Sequence, residues 1–166
     1  FSSEFLSKHF VNVLNFGFVA ETFELSEKLT KLFRRFRYPI SVWVKLLPAK
    51  SSQMNLQTHN YEFSSHAFVV SICNGQFFGG GWNISPKSSL QDGLLNIQIF
   101  KVTKRKAMKL FFQAKKGLHL TDPDVLLKRS GNIKLLTTQS IEIDGDYFDK
   151  GPAEIFVKKH SIQLKI

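Results

Sequence analysis

The segment Ile143-Asp144-Gly145-Asp146-Tyr147 puts two carboxylates two residues apart. On a continuous strand such residues share a face, about 6.6 Å apart along it. One carboxylate can then take a proton from a hydroxyl while the other binds a metal or orients the nucleophile. The same letters also read as structure alone, because Asp-Gly is a favoured hairpin pair whose carboxylates can simply be solvated. Residue type and spacing leave both readings open. A second candidate is Pro86-Lys87-Ser88-Ser89-Leu90-Gln91-Asp92-Gly93-Leu94-Leu95. Oxygen-rich loops of this kind hold hard cations through carboxylate and carbonyl oxygens, and with one carboxylate water must complete the site. The alternative is a polar loop closing on an Asp-Gly turn. A third is Gly79-Gly80-Gly81, whose N–H groups are of a kind that cradles phosphate. It has neither the GxxxxGK[ST] nor the GxGxxG spacing, and close backbone packing is the simpler reading.

Other chemistry is poorly supported. The histidines at 9, 59, 66, 119 and 160 form no helical metal-binding pair, and the single cysteine, Cys73, cannot build a zinc knuckle. There is no GxSxG nucleophile motif. Cys73 lies in the apolar run HAFVVSIC and reads as a buried, inert thiol, which fits a reducing, cytoplasmic compartment.

The elements that must position these residues are mainly strands. The chain has 166 residues, 43% hydrophobic and 22% charged, which suits one globular domain over 1–166. Seventeen phenylalanines favour pleated, half-buried surfaces. Residues 9–20 read as a strand punctuated by Gly17. A helix is expected from Glu21 to Arg37, with Leu25, Leu29, Leu32, Phe33 and Phe36 on one face, acidic residues early and basic residues late. MNLQT, NYEF, HAFVVSICN and LLNIQIF read as strands, with a hairpin turn at Asn74-Gly75. Thr103 is an expected N-cap, followed by the stripe Ala107, Leu110, Phe111 and Ala114, with Gly117 at C′. The remainder reads as strands joined by tight turns. The fold class expected is mainly β: an antiparallel sandwich of two packed sheets with about two peripheral helices.

The formal charge of +10 calls for an anionic partner, whether nucleic acid, membrane surface or phosphorylated ligand. Lysines concentrate between 101 and 116, where each basic residue near an anionic bilayer contributes about 1 kcal/mol. No apolar stretch approaches the ~20 residues of a membrane span.

Taken together, the motifs resemble the C-terminal domain of the bacterial diacylglycerol-kinase-like lipid kinases, relatives of sphingosine kinases and, more remotely, of NAD kinases. Phe10-Val11-Asn12 with Gly17 resembles the family's opening F-x-N…G strand, and Leu29 to Tyr38 its following helix. Asn74-Gly75, Gly79-Gly80-Gly81, Pro86 and Leu90-Gln91-Asp92-Gly93-Leu94-Leu95 resemble its N-G…GGG…P…L-x-D-G-x-L run. Gly117-Leu118-His119 resembles G-x-H, and Asp144-Gly145-Asp146 resembles D-G-E.

The resemblance implies transfer of the ATP γ-phosphate to a lipid hydroxyl at an anionic membrane. Asp146 falls on the proton acceptor and Asp144 on its acidic partner. A structural Mg²⁺ would use Ser89, Asp92 and the Leu94 carbonyl. ATP would be bound mainly by an N-terminal α/β domain whose G-G-D-G-T loop is not in this sequence, which begins without Met and reads as cut from a longer protein. The expected partners are that domain, a lipid substrate and a second copy of the chain, rather than nucleic acid. Asp146 departs from the family's Glu, withdrawing the carboxylate by one methylene. Two competing readings are a basic β-domain that only binds anionic lipid or nucleic acid, and a relative acting on a soluble metabolite.

Overall fold

The computed structural model describes residues 7–28, 41, 44–78, 81–159 and 161. β1 (Val13–Gly17) runs directly into α1 (Phe18–Lys28). The turn between them needs Gly17, whose φ is +88° and whose added Cβ would stand 2.9 Å from the Phe68 carbonyl oxygen. The helix thus starts three residues earlier than its periodicity suggested, and the rest of its expected span lies outside the described residues. It buries Ala20, Thr22 and Ser26, while Leu25 is half-buried. Small side chains at these positions let the helix lie close on the sheet.

β2 (Ser52–Thr58) and β3 (Glu62–Ala67) form a hairpin, followed by β4 (Val69–Cys73). The run HAFVVSICN is therefore two strands in two sheets. Phe68 is the pivot: its N–H donates to Phe100 O and its carbonyl accepts from Phe18 N–H. Asn74-Gly75 does not make the expected hairpin, because β4 pairs with β1 and not with the strand that follows. Both N–H groups instead donate to Asn12 O, at 2.8 and 3.0 Å. Gly75 is required by this approach, since a Cβ there would run into Asn12.

Two short strands, β5 (Phe77–Phe78) and β6 (Trp82–Asn83), pair with each other ahead of β7 (Leu95–Phe100). α2 (Lys104–Ala114) is capped by the Thr103 hydroxyl, which accepts from Lys106 N–H, as its sequence suggested. Gly117 is left-handed, at φ +71°, one position beyond C′, and opens a 3₁₀ turn over Leu118–Thr121. The chain closes with β8 (Val125–Ser130), β9 (Asn132–Leu135), β10 (Ser140–Ile143), β11 (Asp146–Lys150) and β12 (Ala153–Phe156).

The strands form a six-stranded sheet in the order β11-β10-β1-β4-β7-β8, a four-stranded sheet in the order β12-β9-β2-β3, and the small β5-β6 pair. Among the described residues every pairing is antiparallel. The two larger sheets pack face to face. Leu14, Phe16, Val70, Ile72, Ile97 and Ile141 of one meet Met54, Leu56, Phe63, Ile133, Leu135 and Ile155 of the other. A smaller cluster of Phe68, Val102, Leu110 and Val125 seats α2 beside the large sheet. The fold is the antiparallel sandwich with peripheral helices that the alternating runs implied. A further helical stretch at 41 and 44–46 is only partly described.

Candidate active site at the Asp144–Asp146 turn

β10 and β11 are joined by two residues, with Ile143 opposite Asp146. Asp144 has φ +50° and Gly145 φ +101°. Both signs are those of a primed two-residue hairpin turn, which explains Asp-Gly here. The two aspartates therefore do not stand side by side on one strand face. The strand ends at Ile143, and the turn sends the two carboxylates into different surroundings.

Asp144 is an anchor. Its carboxylate accepts from Val11 N–H at 2.7 Å, Asn12 N–H at 3.0 Å and Val13 N–H at 2.8 Å. Its own N–H donates to Val13 O at 3.0 Å. The F-x-N segment is thereby pinned to the turn. Replacing Asp144 by Ala strands three backbone donors, and the expected loss is about 2 kcal/mol of unfolding free energy by urea titration. An unchanged midpoint and slope would contradict the anchoring role.

Asp146 is the opposite case. Its side chain is 74% exposed, and its ion-pair partner is Lys8, 3.5 Å away. The backbone that carries it is held firmly. Tyr147 N–H donates to Glu27 at 3.0 Å, and the Ser140 hydroxyl donates to Glu24 at 2.8 Å, so α1 clasps the β10–β11 hairpin at two points. A hydrogen bond from Lys28 holds the Glu24 carboxyl below its usual range. Beside the turn lies a cleft of about 280 Å³ lined by Asn12, Phe23, Phe77, Phe78, Gly81, Asp144 and Gly145. Its walls are aromatic and its rim is acidic. Gly79 and Gly80 lie outside the described residues; Gly81, at φ +100°, has open space where a side chain would stand.

Beneath the turn is a feature that motif spacing missed. Glu142, Asn15, Ser71 and Gln98 are directly opposed neighbours across β10, β1, β4 and β7. All four are buried, Glu142 completely. The row is bonded along most of its length. Ser71 Oγ donates to Asn15 Oδ1 at 2.5 Å, and Asn15 Nδ2 donates to Glu142 at 2.6 Å. The other Glu142 oxygen accepts from Gly145 N–H. Gln98 Oε1 meets His119 Nε2 at 3.2 Å, and the His119 ring stacks on Phe100. Burial pushes the Glu142 carboxyl up to about 7, against the opposing hydrogen bonds from Asn15 and Gly145; nearby Asp144 and Asp146 add to the rise. Burial likewise lowers His119, keeping it neutral, and lifts Cys73 to about 12, an inert thiol. The signal for this row was available: one polar residue within each of VLNFG and VVSIC, and two at alternate positions in each of NIQIF and SIEI.

The loop at Ser89, Asp92 and Leu94 is a salt-bridged turn. Asp92 Oδ1 accepts from Leu94 N–H at 2.9 Å, and Oδ2 is bonded by Arg129. Ser89 Oγ accepts from Gln91 N–H at 3.3 Å. Both oxygens of the loop's one carboxylate are thus engaged, one by a cation. A Mg²⁺ does not fit this arrangement without displacing Arg129. Among the described residues, no three acidic, His or Cys side chains gather as a metal site.

The family segments meet in space. Asn74-Gly75 bonds Asn12, and Gly117 packs so closely on Pro86 that a Cβ would clash. The known proteins agree with this layout. Residues 12–165 match the family model described as "YegS C-terminal NAD kinase beta sandwich-like domain". A Staphylococcus carnosus (strain TM300) protein named "Putative lipid kinase" is 28% identical over 159 residues, 91% of this chain and 52% of that protein. The "Diacylglycerol kinase" of Bacillus subtilis (strain 168) is 22% identical over 153 residues, 89% of this chain and 50% of its own. A solved structure titled "A putative diacylglycerol kinase from Bacillus anthracis str. Sterne" superposes with a TM-score of 0.64 at 17% identity, covering 91% of this chain and 51% of that one. The chain spans about half the length of these relatives. With residues 12–165 matched, nearly its whole length, the chain belongs to the family of YegS C-terminal NAD kinase beta sandwich-like domains.

Proposed function

We propose that residues 1–166 form one domain, the acceptor-side domain of an ATP-dependent lipid kinase that acts with a nucleotide-binding α/β domain. The names of the relatives support the class, a lipid or diacylglycerol kinase. The observation that carries the reading is the exposed Asp146 carboxylate on a rigidly held turn next to a phenylalanine-walled cleft. Phenylalanine walls suit an acyl or sphingoid chain, and the acidic rim suits its hydroxyl.

In this reading the acceptor oxygen attacks the γ-phosphorus, its proton passes to Asp146, and ADP leaves. A divalent ion accompanying ATP would neutralise phosphate charge; no step is assigned to the Ser89–Leu94 loop. Asp144 holds the turn, and Glu142 supports it from below. Since phosphoryl transfer depends on holding the phosphates, this chain alone transfers none.

The test is an acceptor series with γ-labelled ATP, using the polypeptide that joins this chain to a nucleotide-binding domain. Label in diacylglycerol or a sphingoid base supports the reading. Label only in a soluble polyol, or phosphate transfer by this chain alone, contradicts it.

A further inference from the structure

The candidate cleft is not an isolated pocket. Phe78 on its wall is paired across β5 and β6 with Trp82. Trp82 packs on Phe111 of α2, with ring centroids 4.5 Å apart, and Phe111 meets Phe112 edge-on at 5.7 Å. Phe112 is 68% exposed, and Leu118, just beyond the helix, is 53% exposed. An aromatic track therefore runs from beside the Asp144–Gly145 turn to an apolar tip in water.

Three exposed lysines accompany these residues along the chain. Lys109 lies three residues before Phe112 on the same face of α2, and Lys115 and Lys116 follow directly on its last residue, Ala114. All three are exposed, and none joins an ion pair among the described residues. Lys106, by contrast, is paired with Asp122 and Asp124 at 2.7 and 2.5 Å. Lysines spent on the fold and lysines left over are thus separated along one helix.

Resting on the lipid-kinase reading, we propose that the C-terminal end of α2 and the Leu118 turn dock into an anionic bilayer. Phe112 and Leu118 enter the acyl boundary, Lys109, Lys115 and Lys116 bind headgroups, and the Phe111–Trp82–Phe78 track leads the acceptor lipid to the cleft. Large exposed apolar groups accompanied by unpaired cations are what an interfacial helix presents. The same charge would suit a nucleic acid, but phosphodiester backbones give no reason for an apolar tip continuous with a cleft.

The test is co-sedimentation of the chain with phosphatidylcholine vesicles, with and without phosphatidylglycerol. It needs neither ATP nor catalysis, so it can fail while phosphotransfer stands, and the reverse. Binding is expected only with phosphatidylglycerol. F112S combined with L118S should weaken it by about tenfold or more, and K115E with K116E by a similar factor that high salt reproduces. F156S removes a 64% exposed phenylalanine of the other sheet and should change nothing. Circular dichroism confirms that each variant is folded. The proposal is overturned if the chain ignores acidic vesicles, if F156S weakens binding as much as the tip variants, or if the tip variants abolish self-association or duplex-DNA binding and leave vesicle binding intact.

Discussion

Asp146→Asn should lower kcat by about 10²–10⁴-fold in the proposed lipid kinase, with little change in KM for ATP. That range is the usual worth of a positioned general base. Asn keeps the size and polarity of the side chain and removes only its ability to take a proton. Fold is not at stake, because the side chain is 74% exposed and its ion pair with Lys8 lies at the surface. Asp146→Glu is the informative companion. The resemblance places Glu at this position in most of the family, and a catalytic group misplaced by about 1 Å can cost on the order of 100-fold. If Asp is a shortened version of that group, Glu restores reach, and kcat stays level or rises. Should Asn leave kcat within a small factor of wild type, the base lies elsewhere.

The second large effect concerns Glu142, which no substrate reaches. Glu142→Leu leaves the Asn15 amide and the Gly145 N–H without their acceptor in a dry interior. The cost is roughly 3 kcal/mol, or about 10 °C in Tm for a chain of this size. Glu142→Gln should be tolerated. Its oxygen keeps Gly145 N–H, its amide donates to Asn15 Oδ1 after the Asn15 amide turns over, and Ser71 Oγ then accepts from Asn15 Nδ2.

The pH dependence separates the two variants further. The folded carboxyl sits near 7 against an ordinary 4.5, so between those values the folded state holds the proton that the unfolded state has released. Stability from this group is present in full below about pH 4.5, falls as pH rises, and is gone above about 7. The total is on the order of 3 kcal/mol. Gln carries no such charge, so its Tm should gain on wild type as pH rises from about 5 to about 8 and exceed it at the alkaline end, while the buried, neutral His119 contributes alike to both proteins. A Tm difference between Glu142→Gln and wild type that does not grow with pH across this window would refute a protonated Glu142.

Much of this was readable in the sequence. Alternation in the Val- and Ile-rich runs marked the strands, and Thr103 marked the start of α2, because both signals are local. Asn74-Gly75 misled for an equally local reason. The pair tolerates a tight hairpin, but the tertiary contact with Asn12 decided its geometry. HAFVVSICN concealed a change of sheet at Phe68, since the apolar residues Ala67, Phe68 and Val69 run on across the junction and periodicity carries no record of which sheet a strand joins. At the site, the Asp-Gly-Asp letters located the turn but not its consequence. Positive φ at Asp144 turns one carboxylate onto the backbone and leaves the other in water. The Asp92 loop reads as a cation site from its oxygens alone, and its partner Arg129, 37 residues away, is invisible to local pattern. Glu142 could be read as a polar interruption of an apolar strand; its partners on β1 and β4 depend on register, which short-range pattern does not contain.

In the proposed function, the Asp144–Asp146 turn serves phosphoryl transfer to a lipid. The most direct measurement is the amount of γ-label recovered in extracted diacylglycerol after a timed reaction, wild type beside Asp146→Asn, with matched protein folding and ATP. Lipid-bound label is expected for wild type, with a loss of at least about 10²-fold for the variant. Equal labelling by the two proteins, or label confined to water-soluble products, would contradict it.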